Sequence, residues 1–439
     1  MPAYLALPEP RGATEPPGSQ LPASNRPRLV EGTELVGEYR GSGSVDSRYL
    51  IRRADRRVVE VSPLLYLLAS SVDGIRDSVE IASVMSAGLG RRMSAADVDY
   101  LITRKLRPLR VVEDPNVTTT ARPATPVLAL STRTAVVPQP IVHRATSWLC
   151  PLLRPTVVVT ALGFLGVVDV WLLLGHGLGE GVDALLYRPA LLLMAVALTV
   201  LAGGFHELGH ATACRYGGAE PGGIGVGIYL IWPVFYNDLN DSYRLSRSGR
   251  LRADLGGIYF NVLFILILAG VYRATAFQPL VVVLALHHLL ILQQLLPFVR
   301  LDGYYVVSDL AGVPDLFRHI RPVLSRLVPG TAPGPALTAL RRGPRALVTA
   351  WVLVTVPLLA VCALLLALRL PRVVGIAWDS AGLQSRALAS ALRQGAPVAA
   401  AVSTLQLLFL TIPLIGLGLT ALRVAGVSGR GRAPRCHGR

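Results

Sequence analysis

The chain has 439 residues, 52% of them hydrophobic, a mean hydropathy of +0.50 and a formal net charge of +16. So apolar a composition excludes an ordinary soluble protein and requires several membrane spans. The charge is carried almost wholly by arginine, Lys105 being the one lysine, and the arginines are dispersed or flank apolar runs instead of clustering among aromatics, which argues against nucleic acid as a partner.

Residues 1–33 hold Pro2, Pro8, Pro10, Pro16, Pro17, Pro22 and Pro27 among Gly, Ser and Glu, a composition that cannot bury enough surface to fold and is expected to form a disordered tail. No apolar stretch of signal-peptide length occurs there, so the N-terminus is expected in the cytoplasm. Residues 34–114 read as a small soluble α+β domain. Tyr49-Leu50-Ile51 and Val58-Val59-Glu60-Val61 are strand-like, with Ala54-Asp55-Arg56 suited to the turn between them. Ser62-Pro63 is an N-cap followed by proline at the first helical position; a second helix passes through Val79 to Met85, and Ser94 with Asp97 opens a third. Val111-Val112 is expected to close the unit as a strand.

Residues 115–155 are rich in Thr, Pro and Arg, with apolar islands at Val127-Leu128-Ala129-Leu130 and Trp148-Leu149; they predict a linker that turns interfacial, with Arg144 and Arg154 facing anionic headgroups. Six apolar runs follow, at 156–175, 190–214, 253–272, 280–297, 346–368 and 397–422, each near the ~20 residues that a bilayer requires. They define a membrane domain over residues 156–425, with its core at 190–320, before a basic tail at 426–439. Arginines set the orientation. With the N-terminus inside, the inner segments carry Arg215, Arg244, Arg247, Arg250 and Arg252, then Arg318, Arg321, Arg326, Arg341 and Arg342, then Arg430, Arg432 and Arg435. The first two outer loops hold only Arg188 and Arg273, while the third breaks the pattern with Arg369, Arg372, Arg386 and Arg393. Both termini are expected in the cytoplasm of a multi-pass protein of the cell membrane.

The second run ends in Gly203-Gly204-Phe205-His206-Glu207-Leu208-Gly209-His210. A charge at bilayer depth costs ~2.5–3.5 kcal/mol even on the lenient insertion scale, so an ionisable residue there implies a function. Histidines at i and i+4 share a helical face, as a common metal ion needs, and the glutamate between them suits a general base in an H-E-x-x-H pattern. The bland alternative is a chance match on a packed helix. Cys214 follows His210 by four residues but is read as a small buried residue. With Cys150, Cys362 and Cys436 it is too scattered for a disulfide framework or a thiolate site.

A catalytic zinc needs a third protein ligand and an open position. The candidates are Asp169, Asp238, Asp241, Asp254, His287, His288 and Asp302. His206 lies ~24 Å along its span, near the inner leaflet, whereas His287 and His288 come ~10–12 Å from the outer end of theirs and are read as packing or pore groups. Asp169 also lies toward the outer face. Asp302 ends a span running in the same direction as the His206 span and arrives at the same level. It is the expected third ligand.

An H-E-L-G-H in a span with Leu301-Asp302-Gly303 after a later one resembles the site-2 intramembrane zinc metalloproteases. Gln294 and Pro297 stand at the offsets of that family's polar amide and proline, although asparagine is usual at the first. Gly256-Gly257 and Asn261 look like its middle core helix, where small residues let helices approach closely. Residues 205–217, 224–245 (with Pro233, Tyr236, Asp238, Asp241 and Tyr243) and 297–310 (with Tyr304-Tyr305) are similar to a bacterial subgroup of peptide zinc metalloproteases, as in daptide-type peptide biosynthesis. The resemblance implies one zinc ion on His206, His210 and Asp302, Glu207 as the catalytic base, and Gln294 and Asn261 as substrate-positioning residues. Residues 224–236 would be either a re-entrant hairpin that offers an edge strand to the substrate or a plain cytoplasmic loop.

The order hairpin, three helices and strand in residues 34–114 resembles the winged-helix peptide-binding domain of pyrroloquinoline-quinone biosynthesis and of ribosomal-peptide modification enzymes. That implies leader capture by strand addition; a purely structural or regulatory winged helix is the alternative. The fold class expected is thus a multi-pass α-helical membrane protein with a small winged-helix-like α+β domain at its N-terminus. Its partners would be the lipid bilayer and a precursor or membrane-anchored peptide, and its activity that of a zinc metalloendopeptidase maturing a ribosomally synthesised, daptide- or lantipeptide-like peptide. Two other readings stand beside it: regulated cleavage of a membrane-anchored anti-sigma factor, and a non-catalytic receptor or immunity protein on the same fold. The interval 215–248 is too short to hold the inserted peptide-binding domain that regulatory members often carry. An intact Glu207 has no use in a purely structural site.

Overall fold

A computed structural model describes residues 26–55, 58–114, 133–174, 179, 181–183, 188–229, 232–327 and 335–430. The expected disorder of residues 1–25, the turn at Arg56, the apolar island at Val127-Leu128-Ala129-Leu130 and the end of the basic tail lie outside these. Among the described residues the fold is mostly helical, with five helices long and apolar enough to cross a membrane and small β-sheets. Contacts divide the chain into two units, Met1–Leu35, Ile51–Asp55 and Val61–Thr118 in the first, and Val36–Leu50, Arg56–Glu60 and Thr119–Arg439 in the second.

Strands β1 (Glu34–Glu38), β2 (Tyr49–Arg52) and β3 (Val58–Val61) form a sheet in chain order. In the first unit the helices begin where the sequence provides caps. The Ser62 hydroxyl accepts from the Leu65 N–H to open α1 (Pro63–Ser71); reciprocal capping boxes, Asp77 with Glu80 and Ser94 with Asp97, open α2 (Ser78–Leu89) and α3 (Ala95–Leu101). Gly90, at φ 65°, ends α2 in the left-handed region that glycine enters without cost. Leu68, Ile81, Met85, Val98, Leu106 and Val111 are fully buried and form the core. Val111-Val112 makes an isolated bridge instead of a full strand: Val112 pairs with Leu29, and the Val30 N–H donates to the Val111 carbonyl at 3.0 Å. Part of the stretch that composition assigns to the tail is therefore tied to the fold.

In the second unit, α4 (Gln139–Leu149) leads to α5 (Pro155–Leu173), α6 (Pro189–Tyr216), α7 (Arg247–Thr275) and α8 (Pro279–Gln294). The fourth apolar run yields only the 16 residues of α8, ~24 Å long, and is not among the five long helices. It stops before Pro297, whose ring disfavours helical geometry in the residue ahead of it. A short turn then leads to α9 (Asp302–Ala311). A second departure follows. The expected outer loop with Arg369, Arg372, Arg386 and Arg393 is helical, because α10 runs unbroken over 52 residues from Arg342 to Arg393, past Pro357 and Pro371. Its Ala, Leu and Arg content favours helix. After Gly395, at φ 63°, α11 (Pro397–Arg430) returns.

Two features hold this unit together near the site. Glycines let α6 and α7 cross closely: a Cβ on Gly209 would strike the Gly256 carbonyl and Phe260, and one on Gly256 would strike Gly209 and Ala213. At the start of α7, Arg250 is 1% exposed and donates from Nε to Asp309 Oδ1 of α9 at 2.7 Å and from Nη1 to the carbonyls of Arg40 and Leu245. Its guanidinium lies 4.5 Å from the centroid of the Tyr39 ring, and the Tyr39 hydroxyl donates to the same Asp309 oxygen at 3.3 Å. The segment between β1 and β2 thereby packs into the second unit.

Breaking a buried ion pair on one side strands the other charge, at ~3–5 kcal/mol. Arg250→Met is therefore expected to destabilise the protein by about that much, and Arg250→Met with Asp309→Leu by clearly less, in chemical unfolding of the detergent-solubilised chain.

Candidate metal centre

His206 and His210 stand one turn apart on α6, 5% and 7% exposed. Facing them on α7 are Ala253, Gly257 and Asn261, spaced four residues apart and so on one stripe of that helix. The His210 Nδ1 lies 2.8 Å from the Ala253 carbonyl. A carbonyl only accepts, so the proton sits on Nδ1 and the Nε2 lone pair faces the site. The His206 Nδ1 lies 3.1 Å from the Asn261 side-chain amide, which also lies 2.9 Å from Gln294 Oε1. A Cβ at Gly257 would collide with His210 Nε2 and with both His206 Cε1 and Nε2. Only glycine leaves room for the two rings.

Asp302 arrives by a different route. It is the first residue of α9, where the helix N-terminus favours a carboxylate. The turn that delivers it passes so close to itself that a Cβ on Gly303 would hit the Leu295 carbonyl. Trp351 of α10 pins this turn, donating its Nε1–H to the Pro297 carbonyl at 2.7 Å, and Arg300 and the Tyr304 hydroxyl both reach Asp315 Oδ1.

The three side chains converge. His206 Nε2 and His210 Nε2 are 3.0 Å apart, and each lies 3.3 Å from an Asp302 oxygen. Donors bound at ~2.0–2.1 Å to a tetrahedral zinc are themselves about 3.3 Å apart. Asp302 Oδ2 is buried without a hydrogen-bond partner, an orphaned acceptor that a cation would satisfy. The donor set and its spacing fit zinc. Among the described residues this is the one group of three His, Cys, Asp or Glu side chains able to share an ion.

The other sequence candidates are engaged elsewhere. Asp169 Oδ1 pairs with His288 Nε2 at 2.8 Å. His287 is 2% exposed, its Nδ1 on the Val283 carbonyl and its ring against Phe264. Asp241 accepts from the Glu220 N–H and from Arg244, and Asp238 from Asn240. Asp254, on α7, is not in the cluster. Cys214 is wholly buried beside Ala219, Leu245 and Ala253. Glu207, half-buried between the two histidines, is set by α6 itself.

In the stretch that sequence reads as hairpin or loop, β5 (Ile224–Tyr229) pairs antiparallel with β6 (Trp232–Asn237), and β4 (Arg133–Val137) pairs with β5, so the order is β4-β5-β6. On β6, Phe235 lies against Gly203, and Asn237 donates from Nδ2 to the Glu207 carbonyl at 3.1 Å. Two strand residues advance about as far as four helical ones, ~6 Å, so strand and helix stay in step. Asn237 is absent from the sequence candidates. Its one signal is its place at the end of a β-patterned stretch, which names no partner thirty residues away.

The architecture and site thus define a multi-helix membrane protein with a candidate His-His-Asp zinc centre. The chain shows distant similarity, 26% identity over 143 residues, to the "Putative peptide zinc metalloprotease protein YydH" of Bacillus subtilis (strain 168). The match takes in 32% of this chain and 57% of that protein, so the chain spans little more than half the length of the curated relative it matches. No family model and no solved structure matches.

Gly257→Ala is expected to push both imidazoles from their positions while leaving the helices formed. Zinc affinity, titrated against a chromophoric chelator, should fall by roughly 10–100-fold, the usual cost of disturbing the support of a metal ligand, with unchanged helical circular dichroism.

Proposed function

We propose that the chain is an intramembrane zinc endopeptidase of the site-2 type that cleaves a ribosomally made precursor peptide at the membrane. The observation that carries the reading is the meeting of His206 Nε2, His210 Nε2 and the Asp302 carboxylate, with Glu207 next to His206 on a helix long and apolar enough to span a bilayer. A zinc ion held there supplies Lewis-acid polarisation of a peptide carbonyl and a lowered pKa for the attacking water. Glu207 takes the water's proton on its carboxylate and returns it to the leaving amine. α6 fixes the backbone of Glu207 next to the first ligand, so only its side chain has to be oriented.

A peptide bond inside a helix has its carbonyl and N–H already engaged, so the substrate must be extended at the site. The β6 edge suits it. Among the described residues no strand pairs with the side of β6 away from β5, and Pro233, which lacks a donor, is at home on such an edge. The anchoring of Phe235 at Gly203 and of Asn237 at Glu207 brings that strand alongside the catalytic turn. An added peptide strand would gain affinity from backbone bonds and selectivity from side-chain pockets. Irregular backbone at this depth is tolerated where it is buried in protein or lines a wet cavity.

The substrate class follows from the rest of the chain. Residues 215–248 are taken up by the hairpin and a short turn, which leaves no room for an inserted peptide-binding domain of the regulatory kind. The small capped-helix unit at the N-terminus is the part suited to gripping a leader peptide, on the cytoplasmic side that the arginine pattern assigns to both termini.

Co-expression with the short peptides encoded beside its gene, followed by mass spectrometry, tests the reading. Glu207→Gln is expected to keep zinc and lose cleavage by about 10²–10⁴-fold, the usual share of a general base. Asp302→Ala is expected to lose both. Identical fragments from wild type and Glu207→Gln, or none from either with any neighbouring peptide, sink the protease reading.

A further inference from the structure

We propose that Asn261 and Gln294 are positioning residues for His206, holding it in the one tautomer that can bind a metal; the inference rests on the zinc-site reading above. His206 must present a lone pair on Nε2, because that atom faces His210 Nε2 at 3.0 Å and Asp302 at 3.3 Å. A neutral imidazole carries one proton, which then sits on Nδ1 and needs an acceptor. The Asn261 amide, 3.1 Å from Nδ1, is the partner available.

The two ends of a carboxamide have the same shape, and the proton on Nδ1 selects the oxygen. The same Asn261 atom lies 2.9 Å from the Gln294 side-chain amide, so once Asn261 offers its oxygen, Gln294 must turn its NH₂ toward it. The chain of bonds reads Gln294 Nε2–H to Asn261 Oδ1, with His206 Nδ1–H donating to that same oxygen. One acceptor with two lone pairs serves two donors, and neither is left unmet. His210 reaches the equivalent state with a simpler partner, the Ala253 carbonyl two turns earlier on the same stripe of α7.

Burial separates this role from substrate contact. Asn261 is 5% exposed and sits behind His206, on the ring edge remote from Asp302. Gln294, at the end of α8, is partly open but directs its amide inward to Asn261. The pair thus ties α8 and α7 to the first ligand through polar bonds inside an apolar bundle, where an unpaired amide is costly.

The test uses the purified full-length chain in detergent, stripped of metal and titrated with zinc against a chromophoric chelator, with cobalt absorption as a second probe of ligand geometry. Asn261→Leu should weaken zinc binding by roughly 10–100-fold and shift the cobalt spectrum. Asn261→Asp, which keeps an acceptor toward Nδ1–H, should hold zinc near the wild-type level. Gln294→Leu should give a smaller loss than Asn261→Leu, and it carries the test if Asn261→Leu does not fold. Wild-type zinc affinity in both leucine variants, with only KM for peptide raised, overturns the proposal in favour of substrate contact. A larger zinc loss in Asn261→Asp than in Asn261→Leu also overturns it, since Asn261 would then face His206 with its NH₂. Wild type that binds no zinc fails the underlying site reading itself, an outcome distinct from either.

Discussion

The close crossing of α6 and α7 is the constraint on which the rest depends. Imidazoles and a carboxylate survive in an apolar medium only if protein, not lipid, surrounds them. Gly209, Gly256 and Gly257 remove the side chains that would otherwise hold the helices apart, so backbone meets backbone and the two rings fill the space. The lipid environment offers no hydrophobic force between helices, which makes this shape match the source of cohesion. The histidine stripe of α6 and the facing stripe of α7 are thus two sides of one contact. A side chain added at that contact would change packing and chemistry together.

A second requirement is that Asp302, almost a hundred residues beyond the histidines, return to the same place. Its helix, α9, is fixed from both ends. Arg247 and Arg250 of α7 hold Asp309 near the C-terminal end, and the Trp351 bond to Pro297 holds the turn before the N-terminal end. Arg250 is an expensive means of fixation, since its charge has left water. Its several acceptors and the Tyr39 ring lower that cost.

How much of this could be read from the chain follows the range of each interaction. The pairing of His206 with His210 is a local matter of 3.6 residues per turn, and the capping boxes at Asp77 and Ser94 are local as well. The hairpin at 224–237 shows in its glycines and β-formers. Asp302 needed a longer inference, from span direction and depth, and the structure brings it to the histidines. What pattern reading misses joins distant segments. Nothing in Arg133–Val137 announces β5 as its partner across some ninety residues, and nothing in Tyr39 announces Asp309. The short α8 and the long α10 depart from the apolar runs for another reason. Hydropathy marks where a chain is greasy, whereas helix ends are set by proline position and local propensity, which do not follow the apolar boundary.

The length of α10 carries a mechanical implication. A helix of 52 residues extends ~78 Å, well over twice the ~30 Å of a hydrocarbon core, so no tilt within the usual range hides it in the bilayer. Its Trp351, near the opposite end from Arg393, is bonded to the turn that delivers Asp302. The near end of the helix is thus tied to the turn before Asp302, while the helix as a whole is longer than a hydrocarbon core is thick. A shift of α10 at Trp351 would have to break that bond or carry the turn before Asp302 with it.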